Sequence, residues 1–330
     1  MHNFTQTLQT NWTKKLSKYV PVLAIAVIFG GLGTTLLLTS HAATPTANVE
    51  TENGTVSAAA SKVSDTTASG SQAVKFGAAS GGFQANCITS PHICGYPDAT
   101  NTGVPAGTTL TTSGCITVTT NGAVIQNLSI TDCNITVKAN NVTIKNTRVS
   151  GCTYYPIDYD DSLYSGLVIQ DSEIASNCTT TTACMSFADY TVIRMNCHGA
   201  ADGFKANSNV VIQDSYIHDL AVTSSSHNDG VQSTGGSTVT FKHNTCDLRA
   251  GGDDCFQPGP SDTGWLYTNN LLAGGPTTCW MLNGNTGTVN STFTGNRFTR
   301  TFSCGAASLP GTGITWSGNY FDDNGATTNQ

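Results

Sequence analysis

Three aspartates recur in one short frame, Asp202-Gly-Phe-Lys205, Asp229-Gly-Val-Gln232 and Asp254-Cys-Phe-Gln257, at steps of 27 and 25 residues. His227 stands just before the second copy and Asp253 directly before the third aspartate. Carboxylates and an imidazole brought together can pass protons as general acid and base, or hold a hard cation through oxygen. If each frame opens a β-strand, Phe204, Val231 and Phe256 point inward and Lys205, Gln232 and Gln257 outward. The aspartates then stack at the corner where the strand begins. Strands in adjacent turns lie about 4.8 Å apart, where like charges repel by roughly 3 kcal/mol at an effective dielectric near 20. A raised pKa on one acid, a bound cation, or a neighbouring base such as Lys205 would offset that repulsion. The plainer alternative is that each aspartate caps its turn by accepting backbone N–H bonds, as Asp does before Gly.

The elements that must position these frames are legible from a second pattern. An apolar-x-apolar triplet followed by polar residues recurs nine times, anchored on Ile125, Ile144, Ile169, Ile193, Ile212, Phe241, Tyr267, Phe293 and Trp316, at steps of 19 to 29 residues. No helical 3.6 period runs between the copies, so each strand must bury its apolar face by stacking on its neighbours. This predicts an all-β chain, a single-stranded parallel β-helix of about nine or more coils over residues 114–321. Asn196, Asn244, Asn270, Asn296 and Asn319 follow their anchors by three residues and are expected to form a hydrogen-bonded amide ladder.

Composition narrows the surroundings of such a coil. Charged residues make up only 11% and the formal net charge is −7. Residues 1–43 read as a signal peptide or an amino-terminal membrane anchor: Lys14, Lys15 and Lys18 precede the apolar run from Val20 to Leu38, and Ser40-His41-Ala42 fits a cleavage site. Removing those three lysines from 14 basic residues leaves 11 against 21 acidic, a net −10, which argues against nucleic acid as a partner. Either reading of the leader exports the remainder, outside the cell or onto its surface. The 12 cysteines fit disulfides formed in an oxidising compartment, with Cys87 and Cys94 clipping the entrance and Cys115, Cys133 and Cys152 recurring at nearly one coil. Residues 44–86 read as a linker with a short strand segment, 87–113 as an amino-terminal cap, and 322–330 as a loose tail.

Within the linker, the block from Glu50 to Phe76 resembles the opening strands of β-sandwich carbohydrate-binding modules, and its length implies at most a detached strand pair. The coil pattern over residues 114–321 resembles the pectin-lyase-like superfamily of right-handed parallel β-helices, which includes pectate lyases and polygalacturonases. Asn228-Asp229-Gly230 and Gly252-Asp253-Asp254-Cys255 are similar to two acidic motifs of polygalacturonases, which implies Asp229, Asp253 and Asp254 as an acid and base set. The Gly-His-Gly and Arg-x-Lys motifs that this family carries further on have no counterpart; the next coil reads Gly275-Pro-Thr-Thr-Cys-Trp280.

These observations imply a monomeric polysaccharide-active protein that cleaves glycosidic bonds of a uronic-acid-containing glycan. Hydrolysis would require no cofactor. In a lyase, Asp202, Asp229 and Asp254 would hold Ca²⁺ while Lys205, Arg194 or Arg249 abstracts a proton. His227 serves as proton donor or base, or sits on a solvated loop. Trp280 stacks a sugar ring or packs as an ordinary aromatic. Asp202, Gln232, Gln257 and Arg249 complete the expected binding face, while His198, His218 and His243 read as turn residues away from it. A non-catalytic adhesin or glycan-binding fibre is the alternative.

Overall fold

The computed structural model describes residues 60–64, 72–76, 83–223, 226–259 and 261–330. The expected leader over 1–43 and the anticipated strand and turn at 49–56 lie outside the described residues. Among the described residues no helix is long and apolar enough to cross a membrane. Ala60–Ser64 and Gln72–Phe76 form an antiparallel pair in one unit; residues 83–330 form a second unit.

That second unit is a parallel β-solenoid. One face is a nine-stranded sheet, the next a ten-stranded sheet, and the third is interrupted, with short sheets of three, three and two strands. In the nine-stranded sheet the residues in register are Ile125, Ile144, Ile169, Val192, Ile212, Phe241, Tyr267, Phe293 and Trp316. The fourth anchor is therefore Val192, not Ile193. Tyr190 and Val192 point inward and are buried, whereas Thr191 and Ile193 are only partly covered. A one-residue slip exchanges the two faces of a strand.

The corner after this sheet explains the recurring polar pair. Two residues beyond each inward anchor the chain takes a left-handed turn, at Asn127, Asn146, Asp171, Arg194, Asp214, His243, Asn269, Gly295 and Gly318. Asn, Asp and Gly reach that region at least cost. The two atypical residues are held by an acid one coil away, Arg194 by Asp171 at 2.6 Å and His243 by Asp214 at 2.6 Å. One residue further on, the side chain turns inward as the ladder: Asn244, Asn270, Asn296 and Asn319 are each buried and bonded to the next. Ser215 and Ser172 continue the same row by accepting backbone N–H groups. Asn196 is not a rung; it pairs in register with Glu173 and Tyr216, on the outer surface.

The segment over 87–113 is expected to cover the first coil; residues 83–110 lie as a strap along the outside of the ten-stranded sheet. At its start, Asp322 of the last coil accepts the backbone N–H groups of Cys87 (2.9 Å) and Ile88 (3.2 Å), and the buried Arg297 joins Asp322 to the carbonyl of Gln84. Further along, Tyr96 stacks on His243, and Gly103 donates to the carbonyl of Arg194. The strap ends at Thr111–Ser113, the first strand of that sheet. Residues 322–330 also fold back: Thr328 donates to the carbonyl of Asn319 and receives the Trp316 indole N–H at 2.9 Å.

All twelve cysteines are paired, a pattern typical of oxidising compartments. Cys87–Cys94 clips the strap, and Cys115–Cys133 joins adjacent coils. Cys152, which recurs one coil after Cys133, pairs with Cys178. Cys184–Cys197 and Cys246–Cys255 cross the interior from the third face to the ten-stranded sheet.

Candidate active site

The acidic frames lie on the third face, in the stretch that includes Asp202–Ala206 and Val231–Ser233. Phe204 pairs with Val231, and Gln232 bridges to Gln257, so Asp202, Asp229 and Asp254 occupy one row in successive coils. The same register places Trp280 next in that row, and Trp280 pairs with Gly305. Gly203 and Gly230 follow the first two aspartates. A side chain at Gly230 would strike Cys246 Sγ at 2.5 Å, so only glycine lets the strand turn so close to the interior disulfide.

The three aspartates are buried to different ends. Asp202 is tied down: its Oδ1 accepts the backbone N–H of Asp229 at 3.0 Å and its Oδ2 meets Lys205 Nζ at 3.0 Å. It caps the next coil, the plainer of the two readings the sequence offered. Asp229 is fully buried; Oδ2 bonds His227 Nδ1 at 2.8 Å, while Oδ1 has no partner. Asp254 accepts one bond from Asn283 Nδ2 at 3.0 Å. Asp253 is the most open of the group, 26% exposed, and lies 3.9 Å from His227 Nδ1.

The electrostatics follow from this packing. Burial pushes the Asp229 carboxyl up to about 6, helped by the neighbouring charges of Asp202 and Asp253 and opposed by His227. Burial likewise raises Asp254 to about 7, opposed by the Asn283 bond and reinforced by the charge of Asp229. The hydrogen bond that His227 donates to Asp229 lifts His227 to about 9. Between about 6 and 9, then, His227 and Asp229 form an imidazolium–carboxylate pair, while Asp254 retains a proton near neutrality.

This arrangement has a consequence for stability. Both acids bind a proton more tightly folded than unfolded, so their contribution is full below about pH 4 and is lost as pH rises through about 6 to 7. Asp254→Asn is expected to melt above the wild type at pH 8, by on the order of 2 kcal/mol, with the gap closing toward pH 4. Thermal denaturation at both pH values checks this; an equal gap at each would remove the buried proton.

Lys205, Gln232 and Gln257 do form a partly exposed outward row, with Lys205 Nζ donating to Gln232 Oε1 at 2.7 Å. Asn283 extends that row, donating to Gln257 as well as to Asp254. Sequence reasoning missed Asn283 because its frame, Trp280-Met-Leu-Asn283, lacks the leading aspartate. The signal was its spacing, one coil after Gln257. Asn228, which the sequence offers only as part of a motif, is buried and ties its loop to the carbonyls of Ala201 and Ala221.

Arg249 is engaged elsewhere. Its guanidinium makes a two-pronged pair with Asp247, at 2.7 Å on both prongs, and donates to the strap at the carbonyl of Ile88. Arg194 sits in its corner on Asp171. His198, His218 and His243 lie away from the acidic row, on Glu173, Asp219 and Asp214 respectively.

The residues do not form the anticipated Ca²⁺ cage. Ca²⁺ takes six to eight oxygen ligands, and both oxygens of Asp202 are already committed to Lys205 and a backbone N–H. No protein-family profile, curated protein or solved structure matches the chain.

Proposed function

We propose that this protein is an exported, pectin-lyase-like right-handed β-helix that hydrolyses glycosidic bonds of a uronic-acid-containing polysaccharide. The observation that carries the reading is the acidic row itself: Asp254 raised to about 7 beside a second carboxylate, with the more open Asp253 next to it in the chain. A protonated acid and an ionised carboxylate flanking one bond are the requirements of glycoside hydrolysis. In this reading Asp254 gives its proton to the leaving oxygen and Asp253 activates the attacking water. Asp229 positions His227, and its charge helps to keep Asp254 protonated. Gln232, Gln257 and Asn283 offer amides to sugar hydroxyls, and Trp280 offers a ring face further along the row.

Elimination is less well supported, because the base it needs is missing. Lys205 Nζ is held between Asp202 and Gln232, at 3.0 and 2.7 Å. The six disulfides support export, as does the basic and apolar leader.

Incubation with acidic and neutral polysaccharides, following reducing ends and ultraviolet-absorbing unsaturated ends, tests this. New reducing ends without absorbance are expected from at least one acidic glycan. Unsaturated product would replace hydrolysis with elimination. Retention on a glycan column without product would leave a binding protein.

A further inference from the structure

We propose that His227 Nδ1, Asp229 and Asp254 form a site for one divalent transition cation of the Zn²⁺ or Mn²⁺ type. The three groups each bring a ligand atom to within 4.8 Å of the others, and His227 Nδ1 is already 2.8 Å from Asp229 Oδ2. Donors sharing one such ion at about 2.1 Å stand about 3 to 3.5 Å apart, so closure by about 1.8 Å or less completes the set. The His227 side chain is half exposed on its loop and is the member free to make that adjustment.

A separate observation points to a ligand. Asp229 is fully buried, yet its Oδ1 receives no hydrogen bond. A carboxylate oxygen removed from water without a donor is costly, and a cation between Asp229 and Asp254 supplies what is missing. Asn283 on Asp254 orients that ligand from behind, the role outer partners take around bound metals.

The donor set also selects the ion. Imidazole with carboxylates suits Zn²⁺ and Mn²⁺, whereas Ca²⁺ favours oxygen alone. Among the described residues no other group of three histidine, cysteine or carboxylate side chains converges in this way. Binding itself does not depend on the cleavage reading.

The test is calorimetric titration of the purified protein with Zn²⁺, Mn²⁺ and Ca²⁺, alongside melting curves. One equivalent of Zn²⁺ is expected, held at least about tenfold more tightly than Ca²⁺, with a rise in melting temperature. His227→Ala and Asp254→Asn should each weaken it at least about tenfold, while Asp202→Asn, which keeps the acceptor for the Asp229 N–H, leaves it unchanged. Unaltered stoichiometry and affinity in a folded His227→Ala protein would overturn the site, as would a preference for Ca²⁺ or loss on Asp202→Asn. Zn²⁺ binding without cleavage of any glycan would refute the hydrolase alone; cleavage without Zn²⁺ binding would refute the cation site alone.

Discussion

Asp254→Asn is expected to lower turnover of a susceptible glycan by about 10²–10⁴-fold, the range typical of losing a general acid, with no loss of folded stability at neutral pH. Asparagine has the size and shape of aspartate, and its amide oxygen can still accept the Asn283 bond that now lies at 3.0 Å. What it lacks is a transferable proton. The pairing of the two outcomes makes the result diagnostic, because a residue needed only for packing would lose activity and melting temperature together. Asp253→Asn should produce a comparable loss by leaving the water without its base. Full activity in either variant, measured as reducing ends per enzyme, would remove the proposed acid and base from this row.

The largest stability effect belongs to the amide ladder. Asn270→Ala is expected to cost about 3–5 kcal/mol, because one substitution abandons several buried polar groups at once. Asn270 donates through Nδ2 to the carbonyl of Phe241 and to Asn296 Oδ1, and its Oδ1 accepts the backbone N–H and side-chain amide of Asn244. No water reaches that row, so each abandoned group bears its desolvation in full. Asn121→Ala provides the contrast: its single bond to the Asn140 N–H is exposed, and a loss within about 0.5 kcal/mol is expected. Urea denaturation of the two variants measures the difference. A similar cost for both would mean that the ladder contributes only turn propensity.

The coil was legible in sequence because a solenoid writes its core in order along the chain. The inward anchors from Ile144 to Phe293 are all apolar, and the polar corner that follows is set by the left-handed turn. Where that corner lost its usual residues the frame slipped. Arg194-Met195 replaces the Asp-Ser pair of the neighbouring coils, so the pattern points one residue on, to Ile193 and Asn196. The acidic row was legible because its spacing follows the same period. Its internal differences were not, because whether an aspartate caps a backbone N–H, as Asp202 does, or lacks a partner, as Asp229 Oδ1 does, depends on side chains one coil away. The strap left no periodic trace, since an irregular segment lying on a sheet needs only scattered contacts. Its anchoring aspartate, Asp322, stands more than 230 residues from the N–H groups it holds.

That distance bears on how the chain comes to be assembled. A stack of repeats ordinarily grows by nearest neighbours, and one end can fray without the knowledge of the other. Here the segment that leads into the first coil is gripped by the last. A polypeptide made from its amino terminus could wind its coils as they emerge, but the strap must wait for Asp322, which emerges more than 230 residues after it. Cys87, Ile88 and Tyr96 likewise have no apolar surface to rest on until Leu271 and Ala273 have been made. The closing step ties the two ends into a loop, so unwinding from either end first requires that fastening to release.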